Sequence, residues 1–362
     1  MNIFDYVNAP EMAAYITEKY RTSNQTPLLG ATLFPKDVYN GTDISWLKGA
    51  DSLPVSINPS NYDAKATMRE RTSFGKMSTE MAFFREATKI GEKERQEINK
   101  LLYHPSSALA LPIIRNIFDD VARIAEGVDI QAEYMRMQLL QYGKFTVKSL
   151  DETAVYTYDY NMASDHKISV TDKWNQPAGS DPVQDIIDAC DKAETATGVR
   201  PTRAIMNRNT FKLMCQTESV RKALCVGLRS DSWQALYMSD QEVQGYIEAK
   251  TGVSIAIYNK MYTTLDAASL IPNLGAAKTF VDDGKVILLP PTTLGKTWFG
   301  TTPEQSDAMS GALNGAQVAT LANGSTLTTY REPHPVNVVQ IVSACMIPSF
   351  EMINNVYVLT VK

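Results

Sequence analysis

The feature that most constrains this 362-residue chain is a run of apolar residues at helical spacing between 109 and 142. Side chains that recur every three or four residues form one face of an α-helix. They are Ile114, Ile117, Phe118, Val121, Ala125, Val128, Ala132, Met135, Leu139 and Tyr142. Gly127 costs about 1 kcal/mol against Ala inside a helix, which the burial of this face exceeds, and Gly143 is typical of a helix end. The sequence therefore predicts one helix over 109–142, which would be roughly 50 Å long. The mean helix in globular proteins has only ~11–12 residues.

The segments before this helix contain too few apolar residues to bury a core of their own. Residues 1–30 resemble an arm, with a short helix predicted from Asn8 to about Tyr20. A short helix alone is marginal in water, so it must pack on another surface, and another subunit is one candidate. Two strands, one around 44–49 and one within 77–90, flank a polar stretch and predict a long projecting hairpin. Since isolated hairpins are also marginal, a partner surface is expected.

After the helix, short elements alternate. A β-hairpin is predicted from 145–147 and 154–158, and a helix from a Ser180 or Asp181 cap to Thr197. Further elements are a strand at 203–206, a helix at 209–216, a helix at 242–250, and strands at 253–258 and 285–289. The block from about 170 to 335 is thus expected to be a compact α+β domain. Residues 301–329, rich in small and polar residues, are expected to form a loop excursion, and two strands are predicted within 336–362.

Composition excludes several functional classes. Lys and Arg number 35 against 40 Asp and Glu, a net charge of −5, which is unlike the basic surface of a dedicated nucleic-acid binder. The four cysteines form no C-x-x-C pair, so we expect reduced thiols rather than a zinc site. The first six residues lack the regions of a secretory signal, and no apolar run approaches the ~18 residues of a membrane span. Cytoplasmic synthesis and no membrane partner are therefore expected.

No arrangement of residues predicts catalysis, a cofactor or a metal. Asp181, Asp185 and Asp188 share a helix face, but acids in the first turns also favour the helix dipole, and we expect a solvated face. Residues 282–284, Asp-Asp-Gly, lack the frame of a calcium loop and predict a hairpin turn. The three histidines, His104, His166 and His334, have no companion at ligand spacing. Phosphate-loop and nucleophile-elbow motifs are missing.

Lysines and arginines in the hairpin tip, Lys65, Arg69, Arg71 and Lys76, favour a solvated or intersubunit patch over a nucleic-acid site.

The joint order of these parts resembles the major capsid proteins of tailed bacteriophages with the Hong Kong 97 fold, and among them the lambda-type capsid protein E family. Four segments carry the likeness: Leu33-Phe34-Pro35 through Trp46-Leu47-Lys48-Gly49, Phe83-Phe84-Arg85-Glu86, Tyr160-Asn161 to Trp174 leading into Asp181–Ile186, and Gln340–Ala344 with Pro348. The resemblance implies an α+β fold with named parts. They are an N-terminal arm at 1–30, a lead into the P-domain at 31–44, an extended E-loop hairpin at 45–90, a P-domain at 91–169 with its spine helix at 109–142, an A-domain at 170–335, and C-terminal strands at 336–362 returning to the P-domain.

The resemblance also implies a function. The chain would be a non-enzymatic major capsid protein that assembles with itself into pentamers and hexamers of an icosahedral shell. The virion capsid would enclose double-stranded DNA without sequence-specific contacts, and scaffold, portal and decoration proteins would be further partners, in a bacterial host. Two alternatives stay open: an encapsulin-like cellular nanocompartment, and a soluble enzyme with its site within 170–335. Trp46 and Phe83 or Phe84, in the hairpin stems, are expected near intersubunit contacts.

Overall fold

The computed structural model describes residues 7–22, 27–48, 75–102, 110–149, 155–225, 238–264, 277–313 and 315–362. The chain divides into two compact units. The first unit comprises Met1–Ser45, Ser78–Tyr134 and Lys296–Ser349, and the second unit comprises Trp46–Met77, Met135–Gly295 and Phe350–Lys362. The tip of the predicted hairpin, with Lys65, Arg69 and Arg71, and also His104 lie outside the described residues, whereas Lys76 lies on the strand Gly75–Glu80.

Helices and strands alternate along the described chain. The helices are α1 (Ala9–Thr22), α2 (Leu29–Leu33), α3 (Glu92–Leu102), α4 (Ala110–Tyr142), α5 (Pro182–Thr197), α6 (Arg208–Gln216), α7 (Glu218–Cys225), α8 (Asp240–Thr251) and α9 (Pro303–Ser310). The strands are β1 (Lys36–Tyr39), β2 (Asp43–Lys48), β3 (Gly75–Glu80), β4 (Ala82–Ile90), β5 (Lys144–Lys148), β6 (Val155–Asp159), β7 (Lys167–Ser169), β8 (Arg203–Met206), β9 (Ser254–Ile257), β10 (Met261–Tyr262), β11 (Lys278–Thr279), β12 (Lys285–Leu289), β13 (Thr297–Gly300), β14 (Gln317–Thr320), β15 (Thr326–Arg331), β16 (Val338–Pro348) and β17 (Tyr357–Thr360).

The long helix is confirmed, since α4 covers all but the first residue of the predicted range. The predicted apolar face is buried along its whole length, except for Tyr142, which is half-buried. Gly143 then ends the helix with a positive φ of 69°, and its N–H donates to the carbonyl of Leu139. An added Cβ there would lie 2.2 Å from the Cβ of Met162, so both backbone and space require glycine.

The first unit is built on a six-stranded sheet. The long strand β16 pairs with β4 along one side and with β13 and β15 along the other, and β1 and β14 complete the order β1-β13-β16-β15-β14. In the described part of this sheet, β1 and β13 pair in parallel and the other pairs are antiparallel. Hairpin stem strands β2 and β3 form a separate two-stranded sheet, as predicted for the base of the hairpin.

Helix α1 packs on its own chain. Its side chains at Met12 and Ile16 are buried, and the backbone N–H of Ala9 donates to the side-chain oxygen of Gln317 at 3.1 Å. The hydroxyl of Tyr20 donates to Asp129 at 2.7 Å. The partner that this helix requires is therefore supplied within the first unit rather than by another subunit.

The second unit is built on a five-stranded sheet of order β7-β17-β12-β8-β9. Helices α5 to α8 contribute Ile186, Phe211, Val220 and Ile247 to a core that also contains Leu288 and Leu359 of the central strands. Asp181 caps α5 by accepting hydrogen bonds from Val183 and Gln184, and Gly198 ends it, as predicted. The predicted hairpin of β5 and β6 is also confirmed.

Two expectations about local structure are wrong. The predicted loop at 301–329 contains α9, β14 and β15. Thr302 and Gln305 form a capping box that begins α9, while β15 is held by pairing with β16. The Asp-Asp-Gly turn at 282–284 joins β11 to β12, which pair with other strands, so it is not a hairpin turn.

Strand pairing divides the chain differently from the predicted borders at 170 and 335. Strands β13, β14 and β15, inside the segment assigned to the A-domain, share a sheet with β4 and β16. Strand β17, assigned to the P-domain with the rest of 336–362, pairs with β12 in the second unit. Pairing between residues distant in sequence sets such borders, so local signals at 335 do not reveal them. The assignment of named domains to segments stays a prediction.

Candidate assembly surfaces

Apolar side chains remain exposed on the edge strands of the first unit. On β1, Val38 is 62% exposed and Tyr39 lies beside it; on β4, Phe83 is 45% exposed. Both strands pair on one side only within the described part of the chain. An edge strand offers unpaired backbone groups to another chain, and exposed apolar side chains add to such a contact.

A cavity of about 430 Å³ opens beside β1. Its walls come from β1, β13, α9 and β14, and they include Val38, Phe299, Met309 and Val318. Met309, on α9, is 78% exposed. Lys36 is the titratable residue of this lining, and its ammonium group donates to the carbonyl of Ala322 at 2.8 Å. The cavity is therefore an apolar groove, without the paired titratable groups that catalysis needs.

Strand β4 is tied to α9 by an ion pair. The guanidinium of Arg85 lies 2.5 Å from one carboxylate oxygen of Glu304, and the hydroxyl of Ser343 donates to the other at 2.9 Å. Arg85 also lies over the ring of Phe83, at 4.8 Å. Since the side chain of Glu304 is mostly buried and that of Arg85 is half-exposed, the pair fixes α9 against the sheet more than it adds net stability.

Trp46 and Phe83 do not share one environment, although both were expected near intersubunit contacts. Trp46 is only 7% exposed and packs against Tyr160 with ring centroids 5.3 Å apart. The ring is thus largely covered within its own subunit, and its expected place near an intersubunit contact stays a prediction. Phe83 stays exposed, as an assembly contact requires.

In the second unit, the β5–β6 hairpin carries a second exposed apolar group. Val155 and Tyr156 are exposed, Tyr156 by 61%. Phe145 stacks on Tyr158 with ring centroids 4.9 Å apart. Because side chains alternate along a strand, Tyr156 lies on the same face as this stack and Val155 lies on the other.

The three acids of α5 have structural contacts. Asp181 is the helix cap, Asp188 accepts from Gln184, and Asp185 accepts from the indole N–H of buried Trp174 at 2.8 Å. Asp185 is half-buried rather than solvated as expected, and desolvation raises its pKa, with the nearby Asp181, Asp188 and Asp172 adding to the rise. The carboxylate of Asp185 thus holds the indole ring of Trp174 in place. Asp185 does not line the cavity described above.

The remaining candidates are also placed in structural roles. Asp282 accepts from the hydroxyl of Tyr142, and Asp283 accepts from Asn207 and Asn209. His166 is buried, with Nδ1 3.0 Å from the carbonyl oxygen of Val356, while His334 is exposed.

All four cysteines are free thiols, three of them buried, as predicted. Desolvation raises the pKa of Cys190, Cys215 and Cys345 to about 11 each, which keeps them protonated and unreactive.

Metal binding and membrane crossing find no support in the described ranges. Across the described ranges, no group of three or more His, Cys, Asp and Glu side chains is arranged to hold a metal ion. None of the helices in those ranges has the length and apolar character that crossing a bilayer demands.

Comparison with known families decides the identity. A family model described as phage major capsid protein E matches residues 8–345. The chain belongs to this family. It is a phage major capsid protein, the subunit that associates with itself into the icosahedral shell of the virion.

Solved structures agree with this assignment at the level of the fold. The capsid protein is similar to the putative capsid protein of a prophage from E. coli CFT073, with 14% identity, a TM-score of 0.59, and coverage of 98% of this chain and 99% of that one. It is also similar to a phage-related protein from Bordetella bronchiseptica RB50, with 12% identity, a TM-score of 0.51, and coverage of 98% and 96%. No curated protein matches the chain significantly. The predicted α+β fold of the Hong Kong 97 type is thereby confirmed.

Proposed function

We propose that this capsid protein forms the pentamers and hexamers of a tailed-phage shell, which encloses double-stranded DNA. The observation that carries the proposal is the family match over residues 8–345. The exposed apolar side chains on β1, β4 and β6 support it, because a subunit that interlocks with neighbours needs such surfaces outside its own core. The pairing of β2 with β3 fits the stem of the projecting hairpin that the sequence predicts to meet a neighbouring subunit.

The protein acts by assembly and performs no chemistry. The apolar groove beside β1 contains Lys36 as its titratable residue, and the acids of α5 are engaged in a cap, an indole contact and a glutamine contact. A soluble enzyme with its site within 170–335 would need perturbed titratable groups around a pocket. The groove takes part of its lining from 299–324, but its titratable lining residue, Lys36, lies outside that range.

The enclosed DNA is held without sequence-specific contacts. A net charge of −5 on each subunit favours weak contact with phosphates, which suits a container that must be filled and emptied. Scaffold, portal and decoration proteins are the further partners that a phage shell implies, and synthesis takes place in the cytoplasm of the bacterial host. The encapsulin-like alternative is not favoured by a family of phage capsid proteins.

Electron microscopy of the overexpressed protein tests this function. We expect shells, tubes or capsomers, with co-expression of a scaffold where the subunit alone does not close a shell. A protein that stays monomeric at every concentration, with and without scaffold, would overturn the proposal. Terminase and portal genes beside its own gene would distinguish a phage shell from a cellular compartment.

A further inference from the structure

Three lysines lie together at one end of the five-stranded sheet of the second unit. Strand pairing sets Ser169 beside Thr360, and Thr360 beside Lys285, in one row across β7, β17 and β12. Lys167 is two residues before Ser169 on β7, so its side chain leaves the same face of the sheet. Lys173 follows β7 and returns to the same row.

Neutral oxygens hold two of the ammonium groups in place. Lys173 Nζ donates to Ser169 Oγ at 2.7 Å and to the carbonyl of Thr360 at 3.0 Å. Lys285 Nζ donates to Thr360 Oγ1 at 2.9 Å and lies 5.4 Å from the centre of the Tyr142 ring. Both cations are therefore bound to atoms of the same residue, Thr360.

The positive charge of this cluster is not balanced by an ion pair. Within the part of the chain that the structure describes, Lys167, Lys173 and Lys285 have no carboxylate at ion-pair distance. Asp282 attracts Lys285 from further away, but its carboxylate already accepts the hydroxyl of Tyr142. Desolvation lowers the pKa of Lys285, and the charges of Lys167 and Lys173 lower it further. The folded protein thus holds together like charges that an anion would relieve.

The donors that remain suit phosphate oxygens. An ammonium group has three donors, so Lys173 keeps one and Lys285 keeps two beyond the contacts described, while Lys167 is exposed. Lysine binds phosphate as a point charge, and neighbouring hydroxyl groups add neutral contacts. We propose that Lys167, Lys173 and Lys285, arranged around Thr360 and Ser169, form an anion site that takes phosphate groups.

Two sources can supply the phosphate oxygens. Free phosphate is one, and the phosphodiester backbone of the enclosed duplex is the other; the second source rests on the proposed function. Three lysines can neutralise only a few phosphates, so duplex binding through this site is weak and salt-dependent and has no sequence preference. Such a contact is compatible with a container whose DNA has to move.

Titration of the purified protein with inorganic phosphate, and separately with a short fluorescent duplex, tests the site at low ionic strength. The variants are Lys167→Gln, Lys173→Gln and Lys285→Met, the last of which retains the stem over Tyr142, and their triple combination. Lys212→Gln, an exposed lysine on α6 in the same unit, removes the same charge elsewhere and serves as the control. Each site variant should weaken phosphate binding about two- to fivefold, and the triple variant should abolish it. The control should bind as the wild type does.

The outcomes separate the two sources and the two proposals. If the duplex binds, the slope of log K against log salt concentration should become shallower by about 1 for each lysine removed. If phosphate binds and the duplex does not, the free anion is the ligand. Thermal unfolding gives a second measurement, since phosphate should raise the Tm of the wild type but not of the triple variant. Unchanged binding in the triple variant, or no phosphate binding by a folded wild type, would overturn the site. Electron microscopy of the same samples reports on assembly independently.

Discussion

At the scale of single residues, Asp185 illustrates how a candidate acid serves the fold. Its carboxylate accepts from Trp174, whose ring is completely buried in the core of the second unit. Burying an indole N–H without an acceptor costs about 1–3 kcal/mol. The helix face of α5 therefore carries an acid that is explained by its neighbour rather than by a reaction.

Asp185→Ala should lower the free energy of unfolding by about 1–3 kcal/mol, since it leaves the Trp174 N–H unpaired. Asp185→Asn keeps an acceptor and removes a half-buried charge, so it should stay within about 0.5 kcal/mol of the wild type or exceed it at neutral pH. Chemical denaturation of unassembled subunits measures both values. Equal losses in the two variants would show that the charge, not the acceptor, supports Trp174.

The pH dependence of the same pair has a definite sign. Burial raises the pKa of Asp185 in the folded state above its value in the unfolded chain. The folded state then binds the proton more tightly, so acidification through the raised pKa adds stability that Asp185→Asn cannot gain. The difference in unfolding free energy between wild type and Asp185→Asn should thus shift in favour of the wild type as the pH falls. A difference that is constant with pH would contradict the raised pKa.

At the scale of elements, two glycines of the long helix have opposite requirements. Gly127 lies inside α4, has no positive φ, and an added Cβ there meets nothing within 4 Å. Gly143 ends α4 with a positive φ and would place a Cβ against Met162. Gly127→Ala should therefore stabilise the subunit by about 0.5–1 kcal/mol. Gly143→Ala should destabilise it by more than that, through strain and overlap together.

Thermal unfolding of the two variants side by side checks this pair. A higher Tm for Gly127→Ala and a lower Tm for Gly143→Ala are expected, and far-ultraviolet circular dichroism should show the helix retained in both. A loss of stability in Gly127→Ala would indicate that this position needs a bend in α4.

The attachment of α9 can be tested in the same way. Glu304→Ala removes the acceptor of both Arg85 and Ser343, and we expect a loss of about 1 kcal/mol because Arg85 is half-exposed. Hydrogen exchange should quicken at the amides of α9. Asp120→Ala, which breaks the exposed i,i+3 pair with Arg123, provides a matched control that should change neither quantity. Unchanged exchange at α9 in Glu304→Ala would mean that the capping box alone holds the helix.

What the sequence predicted at this scale depended on local signals. Periodicity and Gly143 located α4, an acidic cap and Gly198 located α5, and turn residues bounded β12. Helix α9 was missed because its small polar residues resemble a loop, although Thr302 and Gln305 carry a capping-box spacing. Strand β15 has no such local mark and depends on β16. The cluster of Lys167, Lys173 and Lys285 could not be predicted for the same reason. Its strands β7, β12 and β17 are distant in sequence and come together through pairing.

At the scale of the whole molecule, the function lies in surfaces rather than in a pocket. Each unit buries its own core and still exposes apolar side chains, Phe83 and Val38 in the first and Tyr156 in the second. Obligate assemblies bury apolar surface of this kind between subunits. Residues in the core and residues on the exposed strands should therefore differ in what their loss affects.

Trp46→Ala and Phe83→Ala separate these two effects. Trp46 is buried against Tyr160, so its truncation should lower the free energy of unfolding of the unassembled subunit by about 3 kcal/mol or more. Phe83 is exposed beside Arg85, so its truncation should change that free energy by less than about 1 kcal/mol.

Because an apolar anchor at an interface contributes only once the partner covers it, Phe83→Ala should raise the subunit concentration needed for assembly. Sedimentation and electron microscopy across a concentration series measure that threshold, and Trp46→Phe, which keeps an aromatic ring, controls for loss of fold. If Phe83→Ala assembles at the wild-type threshold, the exposed edge of β4 is not a contact between subunits, and the contacts must be sought on β1 and β6.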